Sequence, residues 1–81
     1  MSIAHSAKEV AGWMFDQLKK DGVLREEDAL WHIHTSFGEE FTYDYNGRGH
    51  LAIHPMVLSE FRRAHDGVAI WSSGEGLWYI P

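Results

Sequence analysis

Cysteine is missing from this 81-residue chain, which excludes disulfide bridges and thiolate chemistry outright. There are only two prolines, and no apolar run comes near the roughly 18–20 residues that a membrane-spanning helix needs, so no membrane span is predicted. Basic residues are scarce as well. Seven Lys and Arg against twelve Asp and Glu give a formal charge of -5, and the cations, Lys8, Lys19, Lys20, Arg25, Arg48, Arg62 and Arg63, are scattered along the chain. Such a balance repels a phosphate backbone unless the basic groups gather on one face. The first ten residues, "MSIAHSAKEV", have neither a basic n-region nor an apolar h-region, and the expected address is cytoplasmic.

What is present fits one small globular α+β domain over residues 1–81. Hydrophobic residues make up 44% and charged residues 23%, without low-complexity tracts. A domain of this size rarely draws more than about 3–5 kcal/mol from its own core, and natural chains compensate with disulfides, metals or oligomerisation. Disulfides being excluded, the other two come forward. Six histidines, if all protonated, would more than cancel the formal charge, so solubility and self-association are expected to depend on pH near about 6.

Ser6-Ala7-Lys8-Glu9 reads as a capping box, with the serine hydroxyl serving an early backbone N–H and the glutamate reaching back to the cap. It opens a helix from about Ala7 to Lys20. Ala7, Val10, Ala11, Met14 and Leu18 form its apolar stripe, Phe15 lies at the margin, and Asp21-Gly22 is the stop. Trp13 falls on the polar side with Glu9, Asp16, Gln17 and Lys20; another element of the chain, a partner or a ligand must cover it. A second helix is predicted from Arg25-Glu26-Glu27-Asp28, whose carboxylates suit the positive end of a helix dipole, to Gly38, with Leu30, Ile33 and Phe37 on one face.

Inside that helix, "LWHIHTSFGEEF" carries His32 and His34. On a strand the two would share a face and could ligate one ion; on a helix they diverge by about 200°. The periodicity favours the helix, and no metal site is predicted: His34 borders the apolar face and His32 is expected in solvent.

Beyond Gly38, Phe41, Tyr43 and Tyr45 alternate with polar residues, Asn46-Gly47 makes a turn, and Leu51-Ala52-Ile53 resumes a strand. His54-Pro55 opens a third helix with Val57, Leu58 and Phe61 as its buried stripe and Asp66-Gly67 as its exit. Val68 to Trp71 and Leu77 to Ile80, joined by Ser72-Ser73-Gly74-Glu75-Gly76, form a terminal hairpin bulky on both faces, so that it is sandwiched or keeps one sticky side. Gly47 to Ala52 matches G-x-G-x-x-A, but a strand and a proline follow instead of a helix, so the glycines serve a turn and no dinucleotide is implied. No strained elbow places a serine beside a base, and the acidic runs read as solvated faces.

The stretches "AGWMFDQLKKDGVLREEDALWHI", "FGEEFTYDYNGRG", "LAIHPMVLSEFRR" and "VAIWSSGEGLWYI" together resemble a bacterial domain family of unknown function found among integron gene-cassette proteins. The likeness runs from about Val10 to Ile80. It implies a small, self-associating α+β domain and supplies no catalytic motif. It also implies a serine or aspartate helix cap where His54 stands, and hence a weaker cap.

The expected fold is three helices on one side of a small antiparallel sheet, built by the 41–53 segment and the C-terminal hairpin, and distantly winged-helix-like. Aromatics at 14% exceed what one small core needs. The favoured function is a non-enzymatic binding module without a cofactor that buries Trp13, Trp71 and Trp78 in a homodimer or against a protein partner. A nucleic-acid-binding reading through Arg48, Arg62 and Arg63 ranks below it. Glu60, Asp66 and Glu75 dilute the positive surface there, and the order helix, helix, strand, helix, hairpin displaces the first strand of a winged helix. A third reading lines a small-molecule pocket between subunits with the same aromatics.

Overall fold

A computed structural model describes residues 5–44 and 47–81. Met1 to Ala4, part of the N-terminal stretch read as carrying no export signal, and Tyr45 and Asn46 of the first hairpin lie outside the described residues.

Helix α1 spans Ala7–Asp21. Ser6, in extended conformation, caps it by accepting the Glu9 backbone N–H at 3.1 Å. The Glu9 carboxylate does not reach back to the cap as a capping box requires; it pairs with His5. Val10, Ala11, Met14 and Leu18 are buried, as the stripe predicts, and Gly22 closes the helix at φ 78, its N–H bonded to the Leu18 carbonyl at 2.7 Å.

Strand β1, Val23–Arg25, follows immediately. It is the element that the sequence pattern does not announce. Helix α2, Glu26–His32, then passes without a break into a π-helical turn, Ile33–Phe37, which ends at Gly38 with φ 131. The positive φ at this exit calls for glycine, whereas the nearest atoms a Cβ would meet belong to the movable end of the exposed Glu40 side chain. After a short 3-10 turn, β2 (Thr42–Asp44) and β3 (Leu51–Ile53) pair as an antiparallel hairpin in the register Thr42 to Ile53.

Helix α3, Pro55–His65, starts on a working cap. The His54 imidazole Nδ1 accepts the Met56 backbone N–H at 3.1 Å, so the imidazole does what a serine or aspartate oxygen would do. Strands β4 (Ile70–Ser72) and β5 (Leu77–Tyr79) complete the chain.

The strands form two sheets where a single one is expected. Strands β2 and β3 stand alone, and the terminal hairpin takes β1 as its third strand, in the order β1-β5-β4, all antiparallel. Both edges of β5 are thereby occupied, which leaves none for the 42–53 hairpin. Alternation along this sheet sends Leu24, Trp78 and Trp71 to the helix side and Val23, Tyr79 and Ile70 to the other. Leu24 and Trp78 of the first row join the core of Val10, Met14, Leu18, Val57 and Phe61, with Trp71 lying against Trp78 at its rim; the second is an exposed apolar row across three strands, the sticky side anticipated for the hairpin.

His65 closes α3. It is buried, stands edge-on to Phe61 at 4.9 Å, and its Nδ1 accepts the backbone N–H groups of Gly67 and Ala69 at 3.1 and 3.3 Å. His65→Ala removes one acceptor from two backbone donors and leaves a gap beside Phe61. It is expected to destabilise the fold by about 2–3 kcal/mol, measured as a lower urea midpoint with an unchanged m-value.

Candidate functional site

Four rings run in line from the terminal hairpin to the end of α3. Trp71 leans on Trp78 with centroids 4.6 Å apart, Trp78 meets Phe61 edge-on at 5.2 Å, and Phe61 meets His65. The geometry follows from register and helix period. Trp71 and Trp78 are directly paired across β4 and β5, while Phe61 and His65 are four residues apart on one face of α3. Trp78 is 8% exposed and Trp71 42%, so the first indole belongs to the core and the second covers its edge.

Along this line, between α3 and the terminal hairpin, runs a groove of about 330 Å³, with Leu58, Phe61 and Trp78 as apolar lining, Trp71 at one wall, and Arg62 and Glu26 as its charged groups. Arg62 makes no ion pair with any described residue, and neither does Glu26. His65 also lines the groove, but its Nδ1 is occupied by two backbone donors, which fixes the proton on Nε2 and makes the ring a brace for the helix exit. The groove offers aromatic surface with one cation and one carboxylate, an arrangement suited to recognition.

Of the residues singled out from sequence, Trp71, Trp78 and Arg62 are brought together here. Arg63 points elsewhere and is engaged by Glu60 at 3.1 Å, and Arg48 stands in the connection between β2 and β3, outside the groove. Trp13 belongs to a different surface. It is half-buried, with its ring stacked on His32 at 4.1 Å and 5° and Phe37 edge-on at 6.0 Å. The expectation of a solvated His32 is thus corrected: the ring lies against Trp13, drawn there by the apolar face of the indole. His34 turns the other way, its Nδ1 3.1 Å from the Thr42 hydroxyl. Among the described residues no three His, Asp or Glu side chains come together in a way that could hold a metal ion.

One aromatic was overlooked. Trp31 on α2 is 71% exposed, the highest value among the large hydrophobic side chains of the described residues. A signal for it exists in the sequence: Trp31 falls off the Leu30, Ile33, Phe37 face and shares its side of the helix with Glu27, Asp28 and Thr35.

The family of unknown function DUF6953 matches residues 6–80, nearly the full chain. The chain belongs to this family. The DUF6953 match covers every helix and strand described and includes the span from about Val10 to Ile80; it bears out a family of unknown function and carries no gene-cassette or bacterial setting. No curated protein and no solved structure matches the chain. Among the described residues, no helix of this DUF6953 member is long and apolar enough to cross a membrane.

The burial gradient gives an ordering of tryptophan substitutions. Trp78→Ala removes as much as a domain of this size draws from its core, about 3–5 kcal/mol, and is expected to be unfolded at 25 °C. Trp71→Ala should cost about 1 kcal/mol, chiefly the lost ring contact, and Trp31→Ala about 0.5 kcal/mol or less. Urea unfolding followed by far-UV circular dichroism checks all three.

Proposed function

We propose that this DUF6953 member is a non-enzymatic interaction module that pairs with a second copy of itself through the groove between α3 and the terminal hairpin. The observation that carries this reading is Trp71, a large ring two-fifths exposed at the wall of an apolar groove. Exposed indoles beside apolar concavities are the usual anchors of protein contacts. The charges support a two-fold arrangement, because a twofold axis sets each residue of one copy against its counterpart's neighbours and the reverse. A groove carrying both Arg62 and Glu26 can satisfy each with the opposite charge of the second copy. The resemblance to gene-cassette proteins, which often self-associate, agrees with this reading.

A nucleic-acid-binding reading has one observation in its favour. Strand β1 between α1 and α2, with the strand order β1-β5-β4, supplies the first strand that the sequence-based order lacked for a winged helix, and β2–β3 becomes an insertion ahead of α3. The charges count against it. Arg63 is engaged by Glu60, and the turn between β4 and β5 carries Glu75 and no cation. A wing that touches a phosphate backbone needs the opposite sign.

Sedimentation equilibrium is expected to show a dimer in the micromolar range, weakened at least about tenfold by Trp71→Ala and by Arg62→Glu. Mixing Arg62→Glu with Glu26→Arg should restore association between the two variants. A monomer at high micromolar concentration overturns the reading. Binding to mixed duplex DNA at low salt that falls with added salt and with Arg63→Glu would favour the alternative.

A further inference from the structure

Trp31 lies between two hollows. On one side is a hollow of about 530 Å³ bounded by Trp13, Trp31, Asp21, Asp28 and Arg25. On the other is one of about 380 Å³ whose walls include Leu30, His34, Leu51 and Glu27. The indole forms part of the wall of both, and it projects from α2 just where the helix gives way to the π-helical turn, a local irregularity that recurs at functional positions.

The charges around the ring have one sign in excess. Asp21, Glu27 and Asp28 are exposed and form no ion pair with any described residue; Arg25 is the single cation bounding the larger hollow. Glu27 and Asp28 lie four and three residues before Trp31, hence on its own side of the helix. A bare indole with carboxylates one turn away attracts a guanidinium or ammonium group twice over, through the ring face and through the acids. A second indole, Trp13, bounds the same hollow.

We propose that Trp31 and its two hollows are a docking site for a basic segment of a second protein. Its Lys or Arg side chain lies between Trp31 and Trp13 near Asp28, and a neighbouring apolar side chain occupies the hollow beside Leu30 and Leu51. A small free cation fits less well, since it would fill one hollow and leave most of the indole in water. A segment crossing Trp31 covers the ring and both hollows. Arg25 opposes the incoming cation and tempers affinity. This surface is separate from the groove of Trp71, so the two can be tested independently.

The test uses the full chain labelled with nitrogen-15 and two blocked hexapeptides, one alternating arginine and leucine, the other with glutamate in place of arginine. The indole N–H signals of Trp31 and Trp13 are expected to shift with the arginine peptide and to saturate below about 1 mM. Trp31→Ala, at an exposed position, should keep the fold and weaken binding about tenfold. Asp28→Asn should weaken it about threefold, and Arg25→Ala should tighten it by a similar factor, a change that a purely structural role would not produce. Four results overturn the proposal: no saturable shift by about 1 mM, equal shifts with the glutamate peptide, unchanged affinity in Trp31→Ala, or Trp31 signals that move on dilution of the free protein, which would assign the surface to a second copy.

Discussion

Trp78 sits where the two halves of this small structure meet. It is on β5, the only strand of the three-stranded sheet with a neighbour on each side, directly opposite Leu24 of β1 and Trp71 of β4. Its ring stands edge-on to Phe61 of α3. Each strand of this sheet is three residues long, too short to persist by backbone pairing alone. The sheet therefore depends on one indole being enclosed between its neighbours and the helices, and Trp71 can remain at the rim because Trp78 fills the interior beneath it.

That arrangement divides the aromatic residues by task. Trp78 and Phe61 lie in the interior, Trp13 braces α1 against His32 and Phe37, and Trp31 and Trp71 remain available on two different surfaces. An excess of rings over what one core can hold is visible in the composition, and among the described residues the exposed rings are Trp31 and Trp71 with Tyr43 and Tyr79. Both indoles stand beside hollows with charged groups near them, an arrangement that differs from singly scattered surface hydrophobicity. The membership in DUF6953 fixes the family and carries no activity with it, so the case for an interaction module rests on these two indoles.

The helices were legible in the sequence because their signals are local. Ser6 and Gly22 bracket α1, the stripe of Val10, Met14 and Leu18 is regular, and Pro55 with Asp66-Gly67 delimits α3. Strand β1 was not legible, since Val23-Leu24-Arg25 fits between a helix stop and a helix start with too few residues to display alternation. It is a strand because Leu77 to Tyr79, more than fifty residues away, pairs with it. The π-helical turn is equally silent, being a matter of one hydrogen-bond step, Gly38 to the Ile33 carbonyl at 3.0 Å. Of the candidate surfaces, the Trp71–Arg62 groove could be reached from sequence because the terminal hairpin and α3 are consecutive. Trp13 could be flagged but not placed, since its cover comes from His32 on another helix. Trp31 was missed although its acidic neighbours at helical spacing were in plain view.

The brevity of β1 and β4 limits how copies of this chain can join. A long bare strand edge invites another strand, and then another, which gives open-ended fibres. Here each outer edge has only three residues of regular backbone, and the apolar surface lies on faces and in hollows. A face that meets its own counterpart across a twofold closes on itself, so short strand edges with the apolar surface held elsewhere disfavour runaway strand-to-strand growth.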